Sequence, residues 1–295
     1  MDRSDVRKAY ADTRHGQVHY RWVAGPGVPL VMYHRAPATS ASFGPMMERM
    51  AGERGLYAFD LPGFGMSFAP DGTPTVADYA GWLLESLDAL GLDRFHIFAH
   101  HTGTHFATEM AAAHPDRVAS LMLNGIAYLT AEERAKLVAD IRATAIPDPD
   151  GAYMADAFKI MASLLPEFDA RLFHEEMTGI FLAHYSLNKS FGAIWRQDYP
   201  ATLAKVKCPI LATCAENEAW RFCFERIFAD RPDAKRAVLG PAKFFTPELD
   251  AVATVAVIRR FLDGIENGRA ADNRPDASGR PSDERAPLYQ SADWD

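Results

Sequence analysis

The chain has 295 residues, 48% hydrophobic and 24% charged, with a formal net charge of −8, a composition that supports a sizeable core in one large α/β domain with an insertion or in two domains. The acidic balance argues against nucleic acid, whose phosphates demand a basic footprint, and no run approaches the roughly 18 apolar residues of a membrane span or forms an N-terminal export core. Three cysteines, Cys208, Cys214 and Cys223, are odd in number and form no CxxC pair, which points to reduced thiols in a cytoplasmic protein.

Residues 16–23 (GQVHYRWV) alternate in polarity like a half-exposed strand. Residues 28–34 (VPLVMYH) and 55–61 (GLYAFDL) are more continuously apolar and suit strands buried on both faces. Between them, Phe43, Met46, Met47 and Met50 recur at helical spacing. Residues 76–90 carry Tyr79, Trp82, Leu83, Leu87 and Leu90 along one helical face, with Gly91 as a stop. A strand at 95–98, a helix to His114 closed by Pro115, and a strand at 119–123 follow. This alternation of strand and helix is the pattern of a parallel sheet covered on both faces.

From Thr130 to about Lys205 the pattern becomes purely helical, which predicts an insert roofing a site; Met154, Phe158, Met161, Phe173, Met177 and Phe181 are its expected packing face. Strands resume at 208–214 (CPILATC) and 235–240 (KRAVLG). Cys214, at the end of the first, reads as a core thiol. The last helix is expected to start with Thr246 as N-cap and Pro247 at its first position and to end at Gly264. The expected organisation is a core of residues 1–125 and 206–264, a helical cap insertion over 126–205, and a disordered tail over 265–295 whose Leu288, Tyr289 and Trp294 are its only docking candidates.

The stretch FAHHTGT, residues 98–104, reads as a strand turning sharply into a helix. Such a turn, flanked by small residues, is where many enzymes mount a catalytic serine, yet here the middle position is His101.

The chain resembles the α/β-hydrolase superfamily, particularly its capped branch of esterases, epoxide hydrolases and carbon–carbon bond hydrolases. The resemblance covers roughly residues 7 to 264. It rests on His34 at the end of the third family strand, DLPGFGMS at 60–67, AHHTG at 99–103, HPDRVASLML at 114–123 and KCPIL at 207–211, all in the family's order. It implies a mostly parallel α/β sheet with helices on both faces. It places His101 where the family has its nucleophile, Glu218 where it has its acid, and Lys243 where it has its base histidine. No histidine follows His184, so a shifted alignment restores no base.

Acyl transfer on this fold ordinarily needs a hydroxyl, an imidazole and a carboxylate. Losing nucleophile or base costs a serine hydrolase on the order of a million-fold. Thr102 is no substitute, because a shift of one residue along the turn aims its side chain away from the pocket. His101 itself is a competent base or acyl nucleophile near neutral pH. Lys243 is expected to keep that imidazole neutral and to pair with Glu218; the bland alternative is an exposed loop lysine and an exposed glutamate at a helix start. His101 and His105, four residues apart, also have a metal-ligand spacing, but the turn at His101 and the lack of a carboxylate motif such as HExxH weigh against metal.

Among the neighbours, His100 reads chiefly as a hydrogen-bonded structural residue. His34 and Arg35 stand at the oxyanion loop, where Arg35 would favour an anionic substrate or else face solvent. Asn124 is a minor candidate for a hydrogen bond to His101. The resulting reading is a cofactor-free, metal-free enzyme, most simply a hydrolase of a small ester, lactone or carbon–carbon bond. His101 is its base or nucleophile, Glu218 and Lys243 tune the electrostatics, and backbone N–H groups near Arg35 and Thr102 hold an oxyanion. Its rivals are a lyase, decarboxylase or isomerase using His101 as base, and a non-catalytic ligand-binding relative. The expected partners are a small-molecule substrate and a second copy of the chain.

Overall fold

In the computed structural model, which describes residues 6–139, 148–183 and 186–267, eight strands form one sheet. In chain order these are β1 (Arg7–Thr13), β2 (Gly16–Val23), β3 (Leu30–Tyr33), β4 (Leu56–Phe59), β5 (Phe95–His100), β6 (Val118–Asn124), β7 (Ile210–Ala215) and β8 (Lys235–Leu239). Their order across the sheet is β1-β2-β4-β3-β5-β6-β7-β8, with β1–β2 and β2–β4 antiparallel and every other pair parallel.

The continuously apolar runs are continuous because both faces of the sheet are covered. Val31, Tyr33, Phe95, Ile97, Ala99, Leu121 and Leu123 point to one core, and Leu30, Met32, Phe98 and Met122 point to the other. The first core is closed by α2 (Val76–Ala89), α3 (Thr102–Ala113) and α9 (Arg221–Asp230) through Tyr79, Leu83, Phe106, Met110, Phe224 and Ile227. The second is closed by α1 (Gly44–Met50) and α11 (Ala251–Glu266) through Met46, Met47, Met50, Val255 and Ile258. Helix α2 starts at a capping box, Thr75 and Asp78 satisfying each other's backbone N–H. All three cysteines are buried and unpaired, and burial pushes the Cys214 thiol up to about 12, which fits a core residue.

Strand β1 does not stand out in the sequence. It is an edge strand in which only Ala11 is buried, so its side chains carry no core pattern. Between β6 and β7 the described residues are helical: α4 (Ala131–Ala139), α5 (Ala152–Leu164), α6 (Ala170–Leu182), α7 (Ser186–Arg196) and α8 (Tyr199–Leu203). Met161 and Phe173 of this insert pack as expected around Phe245; Phe158, though half exposed, sets its ring against Phe173 at 4.6 Å, while Met154 is exposed. The last helical region also differs from expectation. Thr246 is not an N-cap: α10 (Thr246–Leu249) starts after Phe245, and the Thr246 hydroxyl donates to Asn124 Oδ1 at 2.7 Å. The chain breaks at Asp250, and α11 then runs two residues past Gly264. The tail candidates Leu288, Tyr289 and Trp294 lie outside the described residues.

The chain order switches between β3 and β5, since β4 lies to one side of β3 and β5 to the other. In open α/β sheets the crevice at such a switch, beyond the carboxyl ends of the strands, is the usual place for a ligand. Close packing there depends on Gly103: a Cβ at this position would run into the carbonyls of Tyr33 and His34, both backbone atoms that cannot step aside. Gly103→Ala is therefore expected to lose about 1–3 kcal/mol of stability in urea denaturation. An unchanged midpoint would show that the β3 edge yields more easily than its packing suggests.

Candidate active site

The chain leaves β5 and enters α3 through His101, whose backbone lies in the left-handed half of conformational space (φ 43°, ψ −111°). A non-glycine residue held there costs about 1–3 kcal/mol, and the conformation persists only where its surroundings enforce it. Here the His101 N–H donates to the Asn124 carbonyl at 2.8 Å. The His101 carbonyl accepts from the Thr104 N–H at 2.8 Å and from the Thr104 hydroxyl at 2.5 Å. The turn pushes the imidazole into a cavity of about 200 Å³ whose walls include Arg35, Thr102, His105, Met161, Trp195 and Phe244. Gly125, after β6, leaves the ring its space: a Cβ there would fall 2.5 Å from His101 Nε2.

Glu218 comes from the turn after β7 and reaches the same ring from behind, with Oε2 3.2 Å from His101 Nε2. The carboxylate side chain is 1% exposed and the imidazole 11%. The two are in reach but not aligned as a hydrogen bond: Nε2 and both Glu218 oxygens are buried with no hydrogen-bond partner among the described residues. Catalytic hydrogen bonds are often misaligned in a free protein and tighten on binding.

Lys243 does not join them. Its backbone is also left-handed (φ 47°), its N–H donates to Asn217 Oδ1 at 2.7 Å, and no ion pair to Glu218 is present among the described residues. The residue this loop presents to His101 is Phe244, ring centroids 5.1 Å apart, and Lys243 is not part of the cavity wall. The expected Glu218–Lys243 pair is thus replaced by a Glu218–His101 contact with an apolar lid on the ring.

Arg35 is neither solvent-facing nor free for an anionic substrate. It is buried, its Nη2 is 2.6 Å from Glu176 of α6 and 3.5 Å from Glu248 of α10, and its guanidinium lies 4.5 Å from the Phe245 ring centre. Two buried carboxylates face one cation. Burial raises the Glu248 carboxyl well above the usual range; the Arg35 charge opposes this and that of Glu176 adds to it.

His34 is a structural residue rather than a substrate contact. It is fully buried, its Nδ1 bonds the Arg35 carbonyl at 2.7 Å, and its Nε2 accepts the Leu61 N–H at 2.9 Å. Burial lowers it to about 4. His100 is equally buried, but neither of its nitrogens has a partner among the described residues, against the expectation of a hydrogen-bonded ring. Burial, with His101 and Arg35 beside it, holds His100 well below the usual imidazole range. The Asn124 side chain serves Thr213 and Thr246, not His101; only its backbone carbonyl reaches that residue. The Thr102 hydroxyl accepts the Ala36 N–H at 3.2 Å, so one candidate oxyanion donor is engaged within the protein, while the Thr102 N–H stands at the start of α3.

Sequence reasoning missed Phe244, Glu176 and Glu248, and set His105 aside once metal was disfavoured. The helical interval from His101 to His105 was the one visible signal. Among the described residues no group of three or more His, Cys, Asp or Glu side chains is arranged to hold a metal ion. A wider groove of about 610 Å³, walled by residues such as Tyr10, Arg21, Ser40 and Leu182, contains none of the expected site residues.

The family model described as alpha/beta hydrolase fold matches residues 28–224. The chain belongs to that family. It is similar to fluoroacetate dehalogenase of Burkholderia sp., 32% identical over 124 residues, which is 40% of this chain and 41% of that enzyme. The chain thus matches less than half the length of the first curated relatives. Among solved structures it is similar to a thermophilic esterase from Thermogutta terrifontis (TM-score 0.71, 19% identity, covering 88% of this chain and 98% of that one). It is also similar to the enol-lactonase from Burkholderia xenovorans LB400 (TM-score 0.69, 18% identity, 86% and 99% covered). At these identities the structural likeness is one of fold.

The Arg35 cluster has a consequence for stability. A carboxyl whose folded pKa is raised binds its proton more tightly when folded. Its contribution is therefore complete below the ordinary glutamate pKa of about 4.3 and is lost as pH rises through the folded value. Glu248→Gln is expected to flatten the decline of stability with pH above that range, read from urea midpoints across pH 5 to 9. A decline of the same slope in the variant would show that Glu248 ionises without penalty.

Proposed function

We propose that the protein is a hydrolase of a small carbonyl compound, an ester or lactone, in which His101 acts as general base on a water molecule. The observation that carries this is the 3.2 Å contact between His101 Nε2 and the buried Glu218 carboxylate behind the elbow. A carboxylate behind one imidazole nitrogen favours the proton there and stabilises the imidazolium that forms when the other nitrogen takes a proton. With Nε2 turned to Glu218, Nδ1 is the basic nitrogen left for a bound water or substrate. In this reading the developing oxyanion is received by the Thr102 N–H, at the start of α3 and on the positive end of the helix.

This division of labour differs from that of a serine hydrolase. There the imidazole stands between acid and nucleophile; here it stands at the elbow itself, in direct contact with the acid, and Phe244 fills the side from which a second base would come. A water-activating dyad needs no second base. Family membership supports hydrolysis, as does the similarity to fluoroacetate dehalogenase. The cavity volume of about 200 Å³ and its largely apolar walls favour a compact, weakly polar substrate.

The test is turnover across a panel of small esters and lactones in ¹⁸O-labelled water. His101→Ala is expected to lower kcat/KM by about a hundred- to ten-thousandfold and Glu218→Gln by a smaller factor. Lys243→Ala, off the cavity wall, should stay within about twofold of wild type, as surface substitutions do. In a single turnover the label should enter the acid product without an acyl-imidazole being trapped. A trapped acyl-His101 would replace the general-base role with a nucleophilic one. Full activity in His101→Ala would remove the dyad from the reaction.

A further inference from the structure

We propose that His105 is a fixed hydrogen-bond acceptor inside the cavity and that it selects a substrate bearing a hydroxyl or N–H donor a few bonds from the reacting carbonyl. This deepens the reading above and rests on the cavity beside His101 being the reaction site.

The direction of the hydrogen bond follows from a chain of three side chains. Gln197, just after α7, has its amide nitrogen 3.0 Å from the Glu109 carboxylate and 3.5 Å from the Thr202 hydroxyl. A carboxylate accepts, so the amide nitrogen must face it and the amide oxygen must face the other way. That oxygen is 2.7 Å from His105 Nδ1. An amide oxygen only accepts, so Nδ1 carries the imidazole proton and Nε2 is left with its lone pair. Nε2 is buried and has no hydrogen-bond partner among the described residues, and His105 is one of the residues that line the cavity.

Ring contacts hold this imidazole in place. Tyr199 meets it edge-on at 4.7 Å and Trp195 at 6.3 Å, and His105 is only 2% exposed. Burial lowers its pKa to about 4, opposed by the Gln197 bond, so the ring stays neutral and keeps its acceptor at neutral pH. A buried acceptor without a donor is penalised by about 1–3 kcal/mol, and a ligand that supplies the donor recovers that penalty while one that cannot does not. His105 lies one helical turn beyond the elbow, about 5–6 Å along α3, which sets the spacing between donor and carbonyl. Among the described residues, Arg35 is paired with Glu176 and the Thr102 hydroxyl already accepts from Ala36, so beside the reacting His101 ring it is His105 Nε2 that is assigned to a ligand's donor group.

The experiment uses the full-length protein and matched esters: methyl 2-hydroxypropanoate and methyl 3-hydroxybutanoate, their deoxy counterparts and their methoxy ethers. Binding is measured by titration calorimetry in the His101→Ala background, where the reading above predicts turnover too slow to register, and the imidazole nitrogens are followed by ¹⁵N-histidine NMR. At least one hydroxy ester should bind about ten- to a hundredfold tighter than its deoxy and methoxy partners. His105→Phe, similar in size, should erase that preference. In free wild type the spectrum should show Nδ1 protonated and Nε2 bare at pH 7, with Nε2 shifting on addition of the hydroxy ester alone. This second readout stands even if the variant misfolds. A reversed tautomer, equal binding of all three classes, no binding at millimolar concentration, or a preference that survives in His105→Phe would each overturn the proposal. Because binding is read without turnover, selective binding with no ester cleaved would defeat the hydrolase reading and leave the His105 acceptor standing.

Discussion

A left-handed turn at a residue that is not glycine is the constraint on which the rest of this site depends. His101 holds φ at 43° because β5, β6 and α3 leave its neighbours no other arrangement. Ala99 is fully buried, Gly103 is pressed against β3, and Gly125 leaves a space that only an absent side chain can provide. The strain spent at one backbone position projects an imidazole off the end of the sheet, where Glu218 already waits.

The second organising feature is the way charge is distributed around the cavity. Among the described residues that line it, the formal cation is neutralised. Arg35 sits between Glu176 and Glu248 beneath Phe245, and Lys243 is off the wall with Phe244 in its stead. His34 and His100 are held neutral by burial, the first with both nitrogens satisfied. What remains open is an apolar chamber with two imidazoles, His101 and His105, on successive turns of the same segment. The Arg35–Glu176 pair also joins the sheet to the helical insert, so the roof of this chamber is fastened by buried charge as well as by Met161, Phe173 and Phe245. Breaking one partner of such a pair is costly, because it strands the other.

Much of this was legible in the residues, and the exceptions have physical reasons. Strands β3 to β7 announce themselves because a two-sided core demands unbroken apolar runs, whereas β1, exposed along one edge, needs no such pattern. The elbow is visible in AHHTG because small residues must flank a tight turn against neighbouring backbone. Glu218 is legible from its place a few residues beyond β7. Lys243 is not, because a left-handed residue in that loop rotates the neighbouring Phe244 toward His101, and charge logic alone says nothing about which side chain a loop turns inward. The partners of Arg35 come from residues 176 and 248, each more than 100 positions away along the chain, and no local pattern foretells such a meeting. Thr246 followed by Pro247 has every mark of a helix start, yet its hydroxyl is claimed by Asn124, a tertiary bond that outcompetes the local cap.

The proposed chemistry requires that the elbow imidazole and the carboxylate behind it work as one unit. A double-mutant cycle on kcat/KM, combining His101→Ala with Glu218→Gln, measures this directly. If the two groups form a dyad, the double variant is no slower than His101→Ala alone, because the carboxylate has nothing left to orient. Losses that simply multiply would mean that Glu218 acts independently of the ring, and the dyad would have to be abandoned.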